Sequence, residues 1–176
     1  MAEYYFDTET TGFDFDKDRI ITIQWQRLGF SGEPIGELNI LKSWESSEKE
    51  IIENFRPNLT CYLWEFVFVG KNLTFDFNML NERMKHHNLG EFDLRCLHQR
   101  VTLDIKPLLV LINNGKFVGY DKVLPKTNPV TNDKIGQLYK DEEYSEIIQY
   151  IKDEAKDFTK AYQIFRKEIP SLKKYL

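Results

Sequence analysis

Residues 4–12 read Tyr4, Tyr5, Phe6, Asp7, Thr8, Glu9, Thr10, Thr11 and Gly12, and no other stretch restricts the possible folds as strongly. Three consecutive aromatic residues, Tyr4 to Phe6, predict a strand that is apolar on both faces and therefore central, with Gly12 opening a turn after it. Side chains two apart on a strand share a face, so Asp7 and Glu9 stand together at its end. Near the middle of a sheet such a pair repels itself and loses hydration unless a cation lies between the two carboxylates. That is half of a hard-cation site. Two acids at a strand end also suit a solvated turn, and the rest of the chain has to decide.

A chain of 176 residues, 41% hydrophobic and 14% aromatic, is long enough to bury one substantial core, which sets the expectation of one domain over residues 1–176. No segment is long or apolar enough to cross a bilayer, and Met1-Ala2-Glu3 lacks the basic-then-apolar order of a signal peptide. The expectation is a soluble, intracellular (cytoplasmic) protein with no membrane partner. Cys61 and Cys96 have no partner cysteines at metal-finger spacing and read as reduced thiols. The net charge of −4 argues against a surface that attracts polyanions everywhere. Acids gathered around divalent cations lower that total, while the ions return positive potential locally. Arg83, Lys85, His86 and His87, and Lys167, Lys173 and Lys174, form basic clusters that suit either phosphate contact or solvated helix faces.

Asp14 to Arg19 reads as a loop. Ile20 to Leu28 is a second strand and Ile35 to Lys42 a third, joined by the turn chemistry of Gly29 to Pro34, which predicts an antiparallel meander with the first. Ser47 and Glu50 have capping-box spacing ahead of Ile51, Ile52 and Phe55, predicting a short helix that Pro57 closes. Tyr62 to Val69 reads as a buried strand parallel to the first, reached by a crossover. Gly70 ends it. Helical spacing then places Phe77, Leu80 and Met84 on one stripe, with Asp76 in the first turn, where a helix-start acid is favoured in any case. A short strand at Val101 to Asp104 precedes a helix over Ile105 to Ile112, with Pro107 at an early position and Asn113-Asn114-Gly115 ending it. Leu124 to Asp133, with two prolines, is expected to be a mobile loop. Asp141 to about Glu168 reads as one amphipathic helix stopped by Pro170.

The order of Asp7-x-Glu9, Asn72-x-x-Phe75-Asp76 and a late Tyr150-x-x-x-Glu154 resembles the DEDD family of 3′-5′ exonucleases, over most of the chain from Tyr4 to roughly Tyr162. The family shares a ribonuclease H-like fold, so the resemblance implies an α/β architecture: a mixed central sheet, made of a three-strand antiparallel meander plus parallel strands, flanked by helices. The family's tyrosine branch carries Tyr-x-x-x-Asp, and this chain has Glu154 at the last position. Residues four apart share a helix face, which favours Glu154, with Asp153 in reserve and Asp157 behind it. The extra methylene shifts the carboxylate by on the order of 1 Å, and a misplacement of that size can cost ~100-fold in rate.

The resemblance implies hydrolysis of the terminal phosphodiester of DNA or RNA with two divalent cations, Mg²⁺ or Mn²⁺, as cofactors; the hard oxygen ligands fit both ions. Asp7 would bridge the cations, Glu9 and Glu154 would hold one, Asp76 would hold the other largely through water, and Tyr150 would orient the attacking water. Thr10 and Phe13 would flank the terminal nucleotide, with Asn72 and Phe75 near the last bases. Phe13 and Phe75 fit base stacking and core packing equally. Stacking predicts a single-stranded or frayed 3′ end as partner, and a stand-alone nuclease would meet a polymerase or repair complex through its own surface. His86, His87 and His98 lie outside the third motif and read as surface or packing residues. A second reading is a nucleic-acid or protein binding module on the same fold that has lost catalysis; a third is an endonuclease.

Overall fold

A computed structural model of the chain describes residues 1–60, 65–92, 101–116 and 127–175. Cys61, Cys96, His98, the Tyr62–Trp64 part of the expected fourth strand and the Leu124–Lys126 part of the expected loop lie outside the described residues. Among the described residues, five strands form one mixed sheet in the order β3-β2-β1-β4-β5. The strands are β1 Glu3–Thr10, β2 Ile20–Leu28, β3 Pro34–Lys42, β4 Val67–Gly70 and β5 Leu103–Asp104. β1 pairs antiparallel with β2, and β2 with β3, whereas β4 is parallel to both β1 and β5. The α/β class and the meander with added parallel strands are as the sequence predicts.

Alternation along β1 splits the core in two. Phe6 packs with Ile51, Ile52 and Phe55 of α1 (Glu48–Thr60) and with Phe77, Leu80 and Met84 of α2 (Leu73–His86). Tyr5 faces the other way, against Ala155, Phe158 and Tyr162 of α5 (Tyr144–Glu168). Each fully buried side chain of this size contributes roughly 1.5–3 kcal/mol, so both faces are firmly covered. Asp7 and Glu9, in phase with Tyr5, are therefore directed to the α5 side.

Several element boundaries differ from expectation: β4 begins at Val67, with Glu65 and Phe66 of the expected strand in a turn before it, and β5 begins at Leu103, not Val101. Pro57 lies inside α1, which continues to Thr60. The proline removes one backbone donor, but the carbonyl it frees belongs to exposed Glu53, where water can satisfy it, and Leu59 beyond it is buried. The expected long helix from Asp141 begins at Tyr144 instead, and part of the expected loop belongs to a separate helix, α4 (Asn132–Lys140). Ile135, Leu138 and Tyr139 have helical spacing and pack against Ile21 and Ile147, a signal masked by the nearby prolines. Glu142, at a positive φ of 59°, turns the chain between the two helices. α3 (Lys106–Ile112) carries Pro107 at its start, as expected, and α5 gives way at Ile169 to a 3-10 turn containing Pro170. Among the described residues, no helix is long and apolar enough to cross a membrane.

Candidate metal centre

The C-terminal end of β1 is where the acids gather. Asp7 and Glu9 project from β1 and Glu154 from α5, and one ligand oxygen from each lies within 4.8 Å of the others. They line a cavity of about 250 Å³, together with Asp76, Thr10, Asn72 and Lys71. Glu9 and Asp76 are buried.

The neighbouring strand orients the pair. In register, Asp7 faces Gln24 and Glu9 faces Thr22 across the β1–β2 ladder. Gln24, fully buried, donates through Nε2 to Asp7 Oδ2 at 3.1 Å and to Glu9 Oε1 at 3.5 Å. The Thr22 hydroxyl donates to Gln24 Oε1 at 2.9 Å, which fixes which way the amide points. Asp76 arrives from α2 on the opposite face of the sheet. Its Oδ1 accepts from the Thr8 backbone at 3.1 Å and from the Thr8 hydroxyl at 2.6 Å.

Burial, followed by the charge of Glu154, pushes the Asp7 carboxyl up to about 7, with Lys71 and the Gln24 hydrogen bond pulling the other way. Asp76 is raised well above the carboxylate range by burial and then by Asp7, against the Thr8 hydrogen bonds. Each of these two acids resists ionisation because its surroundings are already dry and negative. Several hard oxygen donors under that strain fit a divalent cation of the Mg²⁺ or Mn²⁺ type, with Asp7, Glu9 and Glu154 as the residues positioned to hold one and Asp76 beside them.

Tyr150 is 1% exposed, packed against Ile21, Ile147 and Ile151, and its hydroxyl is hydrogen-bonded to Glu154. Burial, then the charges of Glu9 and Glu154, raise its pKa far above that of an ordinary phenol. The hydroxyl is a proton-holding partner for Glu154. The reserve acids point elsewhere: Asp153 accepts from Asn128 Nδ2 at 2.9 Å and Gln149 Nε2 at 3.1 Å. Asp157 accepts from the Thr127 backbone and hydroxyl at 2.7 and 2.9 Å. Both therefore tie residues 127 and 128, just ahead of α4, to α5.

At the cavity rim, Phe13 is 66% exposed and so is no core residue. Its ring lies 5.9 Å from Phe75, which in turn lies 5.6 Å from Phe15. Phe75 also packs against the main core while lining the cavity. The Thr10 hydroxyl donates to the Gly12 carbonyl at 2.6 Å. Asn72 adopts a left-handed conformation, φ 64°, and its Oδ1 accepts from Lys106 Nζ at 2.6 Å. Asp104 accepts the backbone N–H groups of Asn72 and Leu73, at 2.8 and 2.9 Å, fixing the start of α2.

In the cluster containing Arg83, Lys85 and His86 lie on the solvated face of α2 as one reading expects, but Arg83 and His87 do not. Arg83 is buried and donates through Nε and Nη2 to Glu48 at 2.8 Å each, and His87 Nε2 lies 2.8 Å from the same carboxylate. Packing of α2 on α1 draws both residues inward, away from any polyanion, whereas His86 is exposed.

Sequence reasoning passed over Lys71, Gln24, Thr8, Asp104 and Asp133. Gln24 and Thr22 had a signal: polar residues inside an otherwise apolar strand. Lys71 had only its place next to Asn72, and Asp133, also lining the cavity, depends on the unexpected helix α4.

With the geometry in hand, the fold is a mixed α/β one, a five-strand mixed sheet flanked by helices. Solved structures of exonuclease I have it. The structure of the E. coli enzyme in complex with a dT13 oligonucleotide aligns with a TM-score of 0.59 at 14% identity, covering 99% of this chain and 43% of that one. The complex with a dA16 oligonucleotide gives 0.51 at 14%, covering 64% and 29%. A structure of exonuclease I with the inhibitor BCBP gives 0.50 at 14%, covering 64% and 30%. This chain thus spans less than half the length of these exonuclease I chains, and at such identity the likeness is one of fold. No protein-family model matches the chain, and no curated protein does.

Proposed function

We propose that this chain is a divalent-metal-dependent 3′-5′ exonuclease that hydrolyses the terminal phosphodiester of single-stranded or frayed DNA or RNA and releases nucleoside monophosphates. The observation behind this reading is the meeting of Asp7, Glu9 and Glu154 within 4.8 Å, from two elements far apart in sequence. Asp76 adds a fourth acid to the same cavity. A fold shared with exonuclease I, solved with oligonucleotides, supports the substrate class.

Asp7, Glu9, Glu154 and Asp76 would hold the ions, with Mg²⁺ or Mn²⁺ supplying an acidified water and charge neutralisation when bound. The chain's own part is positional. Gln24 keeps Asp7 and Glu9 side by side, Thr8 holds Asp76, and Tyr150 steers Glu154. The Tyr150 hydroxyl, with its raised pKa, keeps its proton at neutral pH, so it serves as a hydrogen-bond donor and not as a general base. Phe13 and Phe75 offer ring faces to unpaired bases, worth ~1–3 kcal/mol per base, and Thr10 and Asn72 border the same space.

The test is degradation of a linear oligonucleotide labelled at its 5′ end, with Mn²⁺, by the parent and by Glu154→Ala. A descending ladder from the parent and none from the variant is expected, with a circular single strand left intact. Cleavage of the circle would favour an endonuclease. A parent that binds the oligonucleotide and Mn²⁺ yet degrades no linear DNA or RNA would favour the binding module.

A further inference from the structure

Among the described residues lining the acidic cavity, Lys71 is the one cationic side chain. Its Nζ lies 4.0 Å from Glu154 Oε1, beyond hydrogen-bond length but close enough for direct charge attraction. The ammonium is not sealed in, since the side chain keeps 28% of its exposure against 11% for Glu154. Its backbone, by contrast, is held on both sides. A Cβ on the preceding Gly70 would meet the Phe6 carbonyl oxygen at 2.7 Å, and the following Asn72 is locked by Asp104 and Lys106. The stem therefore starts from a fixed point at the end of β4, and its flexible length lets the charged tip reach more than one anion in the cleft. Lys106 Nζ, for its part, donates to Asn72 Oδ1 at 2.6 Å.

Building on the nuclease reading, we propose that Lys71 is a phosphate-binding residue of the cleavage site. Its ammonium accompanies Glu154 while the acids hold no divalent ion, and turns to a non-bridging oxygen of the phosphate being cut once a cation has taken that carboxylate. The exchange follows from charge alone. A cation on Glu154 neutralises the lysine's partner and repels its ammonium, and the anion then entering the same cavity is the substrate phosphate. A lysine suits this as a compact point charge with three donors and a flexible stem. In a chain with net charge −4, it adds one protein cation beside the ions at the point where a polyanion has to enter an acidic cavity.

The test uses the full chain as Lys71→Gln and Lys71→Arg, with thermal melts to check folding. Three quantities are compared with the parent: Mn²⁺ affinity without nucleic acid, read by electron paramagnetic resonance; the single-turnover rate at saturating Mn²⁺; and, with Ca²⁺, affinity for adenosine 5′-monophosphate against adenosine. For Lys71→Gln the expected result is Mn²⁺ affinity equal to or tighter than the parent's and a single-turnover rate about 10- to 100-fold lower. Monophosphate binding should weaken with adenosine binding unchanged, and Lys71→Arg should restore most of the loss. Unchanged rate and monophosphate affinity in Lys71→Gln would reduce Lys71 to a counter-ion for Glu154 and overturn the proposal. So would a loss of Mn²⁺ affinity, because it would make the lysine a support of the metal site. If the parent hydrolyses nothing, the nuclease reading fails by itself, and the monophosphate comparison still decides whether Lys71 contacts phosphate.

Discussion

Replacing Asp7 with asparagine should make the metal-free protein more stable at about pH 8 while removing its response to Mg²⁺. In the fold, burial and the charge of Glu154 push the Asp7 carboxyl from 3.8 to about 7, so ionising it there is harder than in the unfolded chain. A gap of about 3 units corresponds to about 4 kcal/mol, taken as an upper bound. Because the folded pKa is the higher one, the penalty is absent below the ordinary carboxylate range, grows as pH rises toward 7, and is complete above it. The amide introduced by Asp7→Asn never ionises and its oxygen can still accept from Gln24, so the variant escapes that penalty. A net gain of ~1–3 kcal/mol would raise Tm by roughly 2–4 °C per kcal/mol for a chain of this size, and the gain should shrink toward about pH 5. Metal reverses the comparison: at a hundred times its dissociation constant, Mg²⁺ would add ~2.7 kcal/mol to the parent and far less to the variant. Thermal unfolding followed by circular dichroism, at both pH values with and without MgCl₂, reads all four states. If Asp7→Asn lowers Tm without metal at about pH 8, the acids are not in mutual strain. If it gains as much from Mg²⁺ as the parent, Asp7 is not a ligand.

Arg83→Met removes both Nε and Nη2 donors from partly buried Glu48, which keeps the Ile20 N–H and His87, and should cost ~1.5–3 kcal/mol in urea unfolding; a loss under 1 kcal/mol would mean that water replaces the guanidinium. In Gly136→Ala the new methyl would meet the Thr11 carbonyl, so α4 must shift at a cost of ~1–3 kcal/mol. Because α4 carries Asp133 into the cavity, KM for an oligonucleotide should rise with it, and unchanged stability and KM would show that α4 is loosely seated. Phe13→Ala should leave Tm within ~0.5 kcal/mol of the parent, since the ring is 66% exposed. It should weaken binding of a single strand by ~1–3 kcal/mol, measurable by fluorescence anisotropy, and equal affinities would remove Phe13 from the substrate path.

The sequence by itself determined those features that a short period of side chains encodes. Alternation along Tyr4–Thr10 put Asp7 and Glu9 on one face, and the three- and four-residue spacing of Phe77, Leu80 and Met84 made α2. Those patterns are local because strand and helix geometry repeats within a turn or two. Pairing and packing decided the rest. Ladder register set Gln24 opposite Asp7, α1 and α2 drew Arg83 onto Glu48, the contact between Gly136 and Thr11 seated α4 beside the cleft, and Lys71 acquired meaning only when α5 brought Glu154 to it. Each of these joins residues separated by long stretches of chain, and their distance depends on how whole elements bury their apolar faces, which no nearest-neighbour pattern in the sequence records.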